Sequence, residues 1–384
     1  MKKKILLFGP FGDFGGRELE VSFISSVLFS KYEVDICTSD FVTPQSQLFD
    51  FNKKQRVFSL KELLCKKYFI INILSFLSYV RNFFKGDLCS YANNFVAKRY
   101  FNYEKKTIVI LEDLIPEYDL VFICAQLCSL LVNEVICIAK ASNKKVIFRT
   151  TGAIVDIDYV FINEVDCFLH HSLNNAKRIE NYKKHNFVII DQCAYNEKKL
   201  LEVPYLEDNA KTFLTLSRLV KEKNIDVVIK AFQKSKRVGD RLFVVGDGLE
   251  YDNLIKIAPK DDDVIFTGLV SNTDLYKYFL LADCVIISYF EFETGPLTGT
   301  EAMAASRLII SSRTGAMQER IPFNEFWYNN TVSDLVEQIS LVKQLNKAEV
   351  FEMSKNIRNR YLQEYSMKNV AQKYLNIVET VLVK

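Results

Sequence analysis

Short apolar, β-branched runs alternate with longer segments of helical periodicity along the whole chain, and this alternation restricts the fold more than any other feature. Strands that each lead into a helix build parallel βαβ units covered by helices, which excludes a sandwich or a helical bundle. Expected strands lie at 5–8, 34–37, 120–124, 146–149 and 187–190. The pattern dissolves in the polar stretches 196–199 and 204–209, then restarts with strands at 213–216, 242–245, 264–266, 285–288 and 308–311. Ile225, Val228, Ile229 and Phe232 fall on one face of the helix after the first of these, as do Val370, Tyr374, Ile377 and Val381 near the end of the chain. A length of 384 residues suits two domains, with the break expected at 196/197.

Composition removes several classes. With 49% hydrophobic residues, 25% charged and only 13 glycines and 7 prolines, the chain is neither disordered nor fibrous. Nine cysteines without a CxxC pair, most of them inside apolar runs, suit reduced thiols and a cytoplasmic protein better than disulfides or a zinc site. The start, Met1-Lys2-Lys3-Lys4 before Ile5-Leu6-Leu7-Phe8, has too short an apolar stretch for a signal peptide and reads as the first strand. Net charge is +3, yet residues 51–100 hold ten Lys and Arg against two acidic residues. Within them the uncharged run 68–80, flanked by Lys66, Lys67, Arg81 and Lys85, is too short to span a bilayer. It fits either a buried helix with basic ends or one lying on an anionic leaflet. Its apolar interleaving argues against a nucleic-acid partner.

Three segments carry chemistry. The first is Glu293-Thr294-Gly295-Pro296-Leu297-Thr298-Gly299-Thr300-Glu301, two carboxylates bracketing a Gly-Pro helix start. Pro296 suits a first helical turn, so Gly295, Pro296 and Leu297 open a positive helix end fit for an anion. Glu301 inside the helix can accept hydrogen bonds from two vicinal hydroxyls, as carboxylates do with a ribose, while Glu293 on the loop reaches toward a sugar. The second is Ser217-Arg218-Leu219-Val220-Lys221-Glu222-Lys223, between a strand and a helix, where doubly wound sheets bind ligands. An Arg fork with a Lys point charge clamps a diphosphate. The third is the glycine-rich turn Gly12-Asp13-Phe14-Gly15-Gly16, which lets backbone approach a phosphate but does not match GxGxxG. Taken alone, the carboxylate pair reads equally as helix capping and solvated charge, the basic loop reads more often as solvated surface, and the glycine-rich turn is a weak motif.

Taken in order, these segments resemble the retaining glycosyltransferases of family 4, an α/β class with the GT-B fold of two facing Rossmann-like domains and a cleft between them. The resemblance covers 213–321 and includes Arg218 with Lys223, Val245-Gly246-Asp247-Gly248, Val264-Ile265-Phe266-Thr267-Gly268, Ala282-Asp283, Glu293 with Glu301, and Gly315 with Glu319. It implies an acceptor domain at 1–196, a nucleotide-sugar domain at 197–366 and a last helix, 367–384, packing back on the first. Arg218 and Lys223 would bind the diphosphate, Glu301 the ribose, Glu293 the donor sugar, main chain near Val270 the base, and Gly15 and Gly16 would face the diphosphate. Glu293, Arg218 and Lys223 are then the catalytic residues.

The resemblance further implies a UDP- or GDP-sugar donor, no cofactor or metal, and a glycan or polyprenyl-diphosphate-linked acceptor in bacterial surface polysaccharide assembly, at the cytoplasmic membrane face if residues 51–100 are exposed. Relatives often carry a histidine where this chain has Arg149-Thr150-Thr151-Gly152, which leaves Arg149 or Thr151 for the sugar side, and Asn224 and Ser306 stand where relatives have glycine. His170 and His171 are expected to pack at a strand end, and Asp261-Asp262-Asp263 to be a solvated turn. The same scaffold hosts epimerases and phosphorylases. Rossmann-like units would also serve a non-catalytic nucleotide-sugar-binding module or, outside sugar chemistry, a nicotinamide oxidoreductase.

Overall fold

The computed structural model describes residues 2–152, 154, 158–180, 183–258, 263–289 and 294–383. Two compact units divide the chain: 1–170 with 176–190 and 371–384, and 171–175 with 191–370. The break falls at 190/191 because Asp191 is held by Arg320 and the Ala194 N–H donates to the Tyr361 hydroxyl at 3.1 Å, so the strand-exit segment belongs to the second unit. The last turns of the helix Met367–Val383, from residue 371 on, count with the first unit.

The first domain is built on seven parallel strands: β1 (Lys4–Gly9), β2 (Glu33–Thr38), β3 (Arg56–Ser59), β4 (Leu120–Ala125), β5 (Lys145–Thr150), β6 (Cys167–His170) and β7 (Phe187–Ile189). Their order is β3-β2-β1-β4-β5-β6-β7. All six residues of β4 are buried, which is why a central strand covered on both faces reads as continuous apolar sequence instead of alternating. β3 and β6 have no counterpart among the expected strands. His170 ends β6, with Nδ1 2.9 Å from the Thr150 hydroxyl and Nε2 3.0 Å from His185 Nε2, so the histidine closes a strand end as expected. Burial lowers the His185 pKa.

The second domain has six parallel strands: β8 (Thr212–Leu216), β9 (Arg241–Val245), β10 (Val264–Gly268), β11 (Cys284–Ile287), β12 (Leu308–Ser312) and the two-residue β13 (Trp327–Tyr328), ordered β10-β9-β8-β11-β12-β13. The helix Ile225–Ser235 buries Ile225, Val228, Ile229 and Phe232 against it. Asp283 sets the start of β8: its carboxylate accepts the N–H groups of Lys211 and Thr212 at 2.9 and 2.8 Å. Of the acidic run before β10, Asp261 and Asp262 lie outside the described residues, and Asp263 pairs with Lys236 at 2.8 Å. Six of the nine cysteines are buried, but Cys128 and Cys137 are exposed, so the apolar-run expectation does not extend to them.

Candidate active site

Each sheet reverses its winding beside its first strand, β1 lying between β2 and β4 and β8 between β9 and β11. Loops leaving the carboxyl ends of strands on either side of such a reversal diverge and open a crevice. In the second domain that crevice is lined by Thr215, Leu216, Ser217, Ile287, Ser288 and Thr298.

The loop after β8 is clamped by the loop after β9. Ser217 donates its N–H to the Val245 carbonyl at 3.1 Å, Leu219 to that of Asp247 at 2.9 Å, and Glu250 donates back to the Leu219 carbonyl at 2.9 Å. The backbones lie so close that a Cβ on Gly246, whose φ is 134°, would sit 1.9 Å from the Ser217 oxygen. Only glycine fits, and this gives the Val245-Gly246-Asp247-Gly248 motif its physical meaning. Held this way, Arg218 is exposed. Lys223 closes the turn Lys221–Lys223, half-buried, with Nζ 3.4 Å from the centroid of the Tyr289 ring, a cation–π contact that aims it. Asn224 and Ser306 have φ of 48° and 62°. Relatives' glycines at these positions are thus explained by left-handed backbone, which asparagine tolerates better than most residues.

The helix Leu297–Ala304 begins at Pro296, and the Thr298 hydroxyl donates to the Leu216 carbonyl at 3.1 Å, tying its first turn to the end of β8. Glu301 sits one turn on, 2% exposed, and burial alone pushes its carboxyl up to about 7. A buried carboxyl group with a raised pKa, on the helix that borders the crevice through Thr298, is a candidate for function. Glu293 lies outside the described residues. Gly295 and Pro296 are buried, Leu297 is partly so, and Val270, after β10, packs against the second core.

Sequence reasoning missed the strut beneath this helix start. Arg320 is fully buried, its Nε and Nη2 each 2.7 Å from the Asp191 carboxylate, while Nη1 donates to the Pro296 carbonyl. A Cβ on Gly295 or Gly299 would stand 2.9 Å from the guanidinium, so both glycines make room for it. Asn175 Nδ2 and the Ala316 N–H donate to the Thr294 carbonyl at 2.8 and 3.0 Å, and Glu319 takes the N–H groups of Leu173 and Asn174 at 2.8 and 2.9 Å. Glu319 is therefore a structural anchor. Asp191 and Arg320 are 129 residues apart, and no local pattern announces them.

In the first domain Arg149, expected beside a sugar, is a core group. It is fully buried, with Nε and Nη2 donating to Glu20 Oε1 at 2.9 and 2.6 Å, and the Tyr374 hydroxyl donates to the same oxygen at 3.0 Å. A guanidinium taken from water needs such partners. Thr151 is buried, and its hydroxyl has no hydrogen-bond partner among the described residues. In the glycine-rich turn the Gly12 N–H donates to Glu18 at 3.0 Å and the Gly15 N–H to Gln47 at 2.8 Å. Gly16 opens the helix Gly16–Phe29.

Residues 196–360 match the family model described as glycosyl transferases group 1. The alpha-monoglucosyldiacylglycerol synthase of Streptococcus pneumoniae is 36% identical over 121 residues, 30% of this chain and 27% of that protein. The lipopolysaccharide 1,2-N-acetylglucosaminetransferase of Salmonella typhimurium is 24% identical over 185 residues, 44% of this chain and 48% of that one. The chain thus spans about a quarter to a half of the length of these curated relatives. Among solved structures, Anabaena HepE in complex with UDP superposes with a TM-score of 0.72 at 13% identity, covering 98% of this chain and 100% of that one. Sucrose-phosphate synthase from Thermosynechococcus elongatus gives 0.69 at 14% identity with both chains covered fully, 100% each. The chain therefore has the two-domain, parallel-sheet α/β fold of the GT-B glycosyltransferases, and its second domain carries the glycosyl transferases group 1 signature.

Proposed function

We propose that the protein is a retaining glycosyltransferase that moves a hexose-type sugar from UDP to a glycan or a polyprenyl-diphosphate-linked acceptor, on the cytoplasmic side of the membrane, in bacterial surface polysaccharide assembly. One observation carries the donor site: a buried carboxyl group, Glu301, whose pKa burial raises, in a helix whose start is tied to β8, the strand that leads into the loop of Arg218 and Lys223. Glu301 takes the two ribose hydroxyls, Arg218 and Lys223 the diphosphate, and backbone near Val270 the base. Gly295, Pro296 and Leu297 present the positive helix end. The resemblance assigns Glu293 to the donor sugar. The acceptor hydroxyl attacks the anomeric carbon on the face the diphosphate leaves, the carbon–oxygen bond to the diphosphate breaks, and the proton passes to the leaving phosphate. Catalysis is then placement and charge stabilisation, with no cofactor or metal required.

Calorimetric titration with UDP, GDP and NAD tests this. UDP is expected to bind and NAD to give no heat; failure of both UDP and GDP to bind would overturn the donor site. Release of UDP from a UDP-sugar only when an acceptor is added separates transfer from epimerisation.

The Glu301 carboxyl adds a pH signature. At about 7 its pKa stands above the ordinary 4.5, so at pH 6 the empty site holds a proton that ribose hydroxyls, donating to the carboxylate, expel. Affinity for UDP is expected to rise with pH up to about 7 and then level off, with up to about one proton released per nucleotide at pH 6 and almost none at pH 8. Calorimetry in buffers of different ionisation enthalpy measures the release. Glu301→Gln removes it while leaving the phosphate's own titration in place, and equal release by both proteins would detach Glu301 from the ribose.

A further inference from the structure

The helix Phe69–Arg81 is built inside out. Its solvent-facing stripe is Phe69, Ile70, Ile73, Phe76, Leu77 and Val80, three or four residues apart, while the fully buried positions are Ile71 and Ser75. The Ser75 hydroxyl donates to the Ile71 carbonyl at 2.9 Å and lies 3.5 Å from Cys65 Sγ. A surface helix ordinarily turns its apolar stripe to the core, and here a serine faces the core and aromatics face water.

Beyond the helix, Phe83 and Phe84 both take φ of 58°, and Phe83 is 83% exposed. Bulky residues rarely enter the left-handed region, because Cβ crowds the carbonyl. The turn therefore holds strained backbone while presenting phenyl rings to solvent, a cost that burial elsewhere would offset. On the following helix, Phe95–Tyr100, Phe95 and Tyr100 are exposed as well.

Charge selects the occupant. Residues 66–100 contain Lys66, Lys67, Arg81, Lys85, Lys98 and Arg99 against a single acid, Asp87. Lys67 pairs with Asp113, and the other five basic residues make no ion pair among the described residues. A second copy of the chain docking through the same patch would set one basic rim against another. An anionic leaflet satisfies both features, accepting apolar side chains at the headgroup boundary and attracting each Lys or Arg. The preceding helix, Leu60–Lys67, buries Leu60, Leu64 and Cys65 in the domain and meets this one at 116°, and among the described residues no single helix is long and apolar enough to cross a membrane.

We propose that Phe69–Arg81 and the Phe83–Phe84 turn lie in the surface of an anionic bilayer, rings toward the acyl chains and basic side chains toward lipid phosphates. Nothing in this depends on the nucleotide site, and the test uses no nucleotide, so either can fail alone.

Co-sedimentation of the full chain with vesicles of phosphatidylcholine, with and without phosphatidylglycerol, reads it directly. Binding is expected only with the anionic lipid and weakens as salt rises. Charge reversal at Lys66, Arg81 and Lys85 is expected to weaken binding by at least about a hundredfold. Phe69→Ser/Phe76→Ser/Phe83→Ser is expected to weaken it about tenfold or more, with unchanged melting because these side chains are already exposed. Phe76→Trp should gain emission that shifts blue and is quenched by brominated acyl chains when anionic vesicles are added. Absence of binding, equal binding to neutral vesicles, or binding that the Phe substitutions leave intact would overturn the proposal. So would a concentration-dependent dimer that the same substitutions dissolve.

Discussion

Arg218→Ala/Lys223→Ala is expected to reduce UDP release from the UDP-sugar by about 10⁴-fold in kcat, since removing one preorganised donor to a developing negative charge costs about 10²–10³. The two losses fall short of additive because both groups address the same diphosphate. Affinity for UDP itself should fall less, by about 10²-fold, because two charge-assisted contacts to the ground-state phosphates are lost. The split follows from where charge grows: the diphosphate is more negative as it leaves than while bonded to sugar. Folding should be nearly untouched, because Arg218 is exposed and its loop is fixed by backbone bonds between Ser217, Leu219 and the Gly246 turn, not by its side chain. Steady-state kinetics beside a melting curve checks this. A double variant that keeps its kcat would place the diphosphate elsewhere, and one that loses activity only by unfolding would make the pair structural.

β4 and β8 were legible in the sequence because a central strand covered on both faces writes a continuous apolar run. β3, β6 and β13 escaped because they are too short for a pattern of their own: β3 has four residues and starts at Arg56, β6 has four and ends at His170, and Trp327 and Tyr328 are the whole of β13. The basic loop and its glycines were legible as motifs, but the reason for Gly246, a carbonyl 1.9 Å from where its Cβ would be, exists only once β8 and β9 are side by side. Arg149 shows the opposite failure. Standing where relatives often carry a histidine, it was one of two residues expected on the sugar side, and the buried Glu20 that claims it lies 129 residues earlier. For Phe69–Arg81 the run was too uniformly apolar for periodicity to say which face is outside, and only packing, with Ile71 and Ser75 inside, decides it.

Asp191→Ala should be the most destabilising single change in the second domain. It strands the Arg320 guanidinium in the interior, and breaking one half of a buried pair costs about 3–5 kcal/mol, or about 10 °C in the melting of a domain this size. The same pair also positions the helix Leu297–Ala304, proposed to meet the donor, because Arg320 reaches the Pro296 carbonyl and packs against Gly295 and Gly299. Stability and positioning can be separated. Asp191→Leu/Arg320→Met removes both charges and fills the space with apolar groups, an exchange that is often neutral or stabilising, so most of the lost melting temperature should return. UDP affinity should not return with it, because among the described residues the Pro296 carbonyl then keeps only the Gly299 N–H at 3.0 Å, and the helix start proposed to face the phosphates is left with the Thr298 tie to β8 but without the guanidinium beneath it. A double variant that regains both would reduce Arg320 to a core residue. One that folds like the parent yet binds UDP weakly would show that a residue remote in sequence from every donor motif sets the geometry of the donor site.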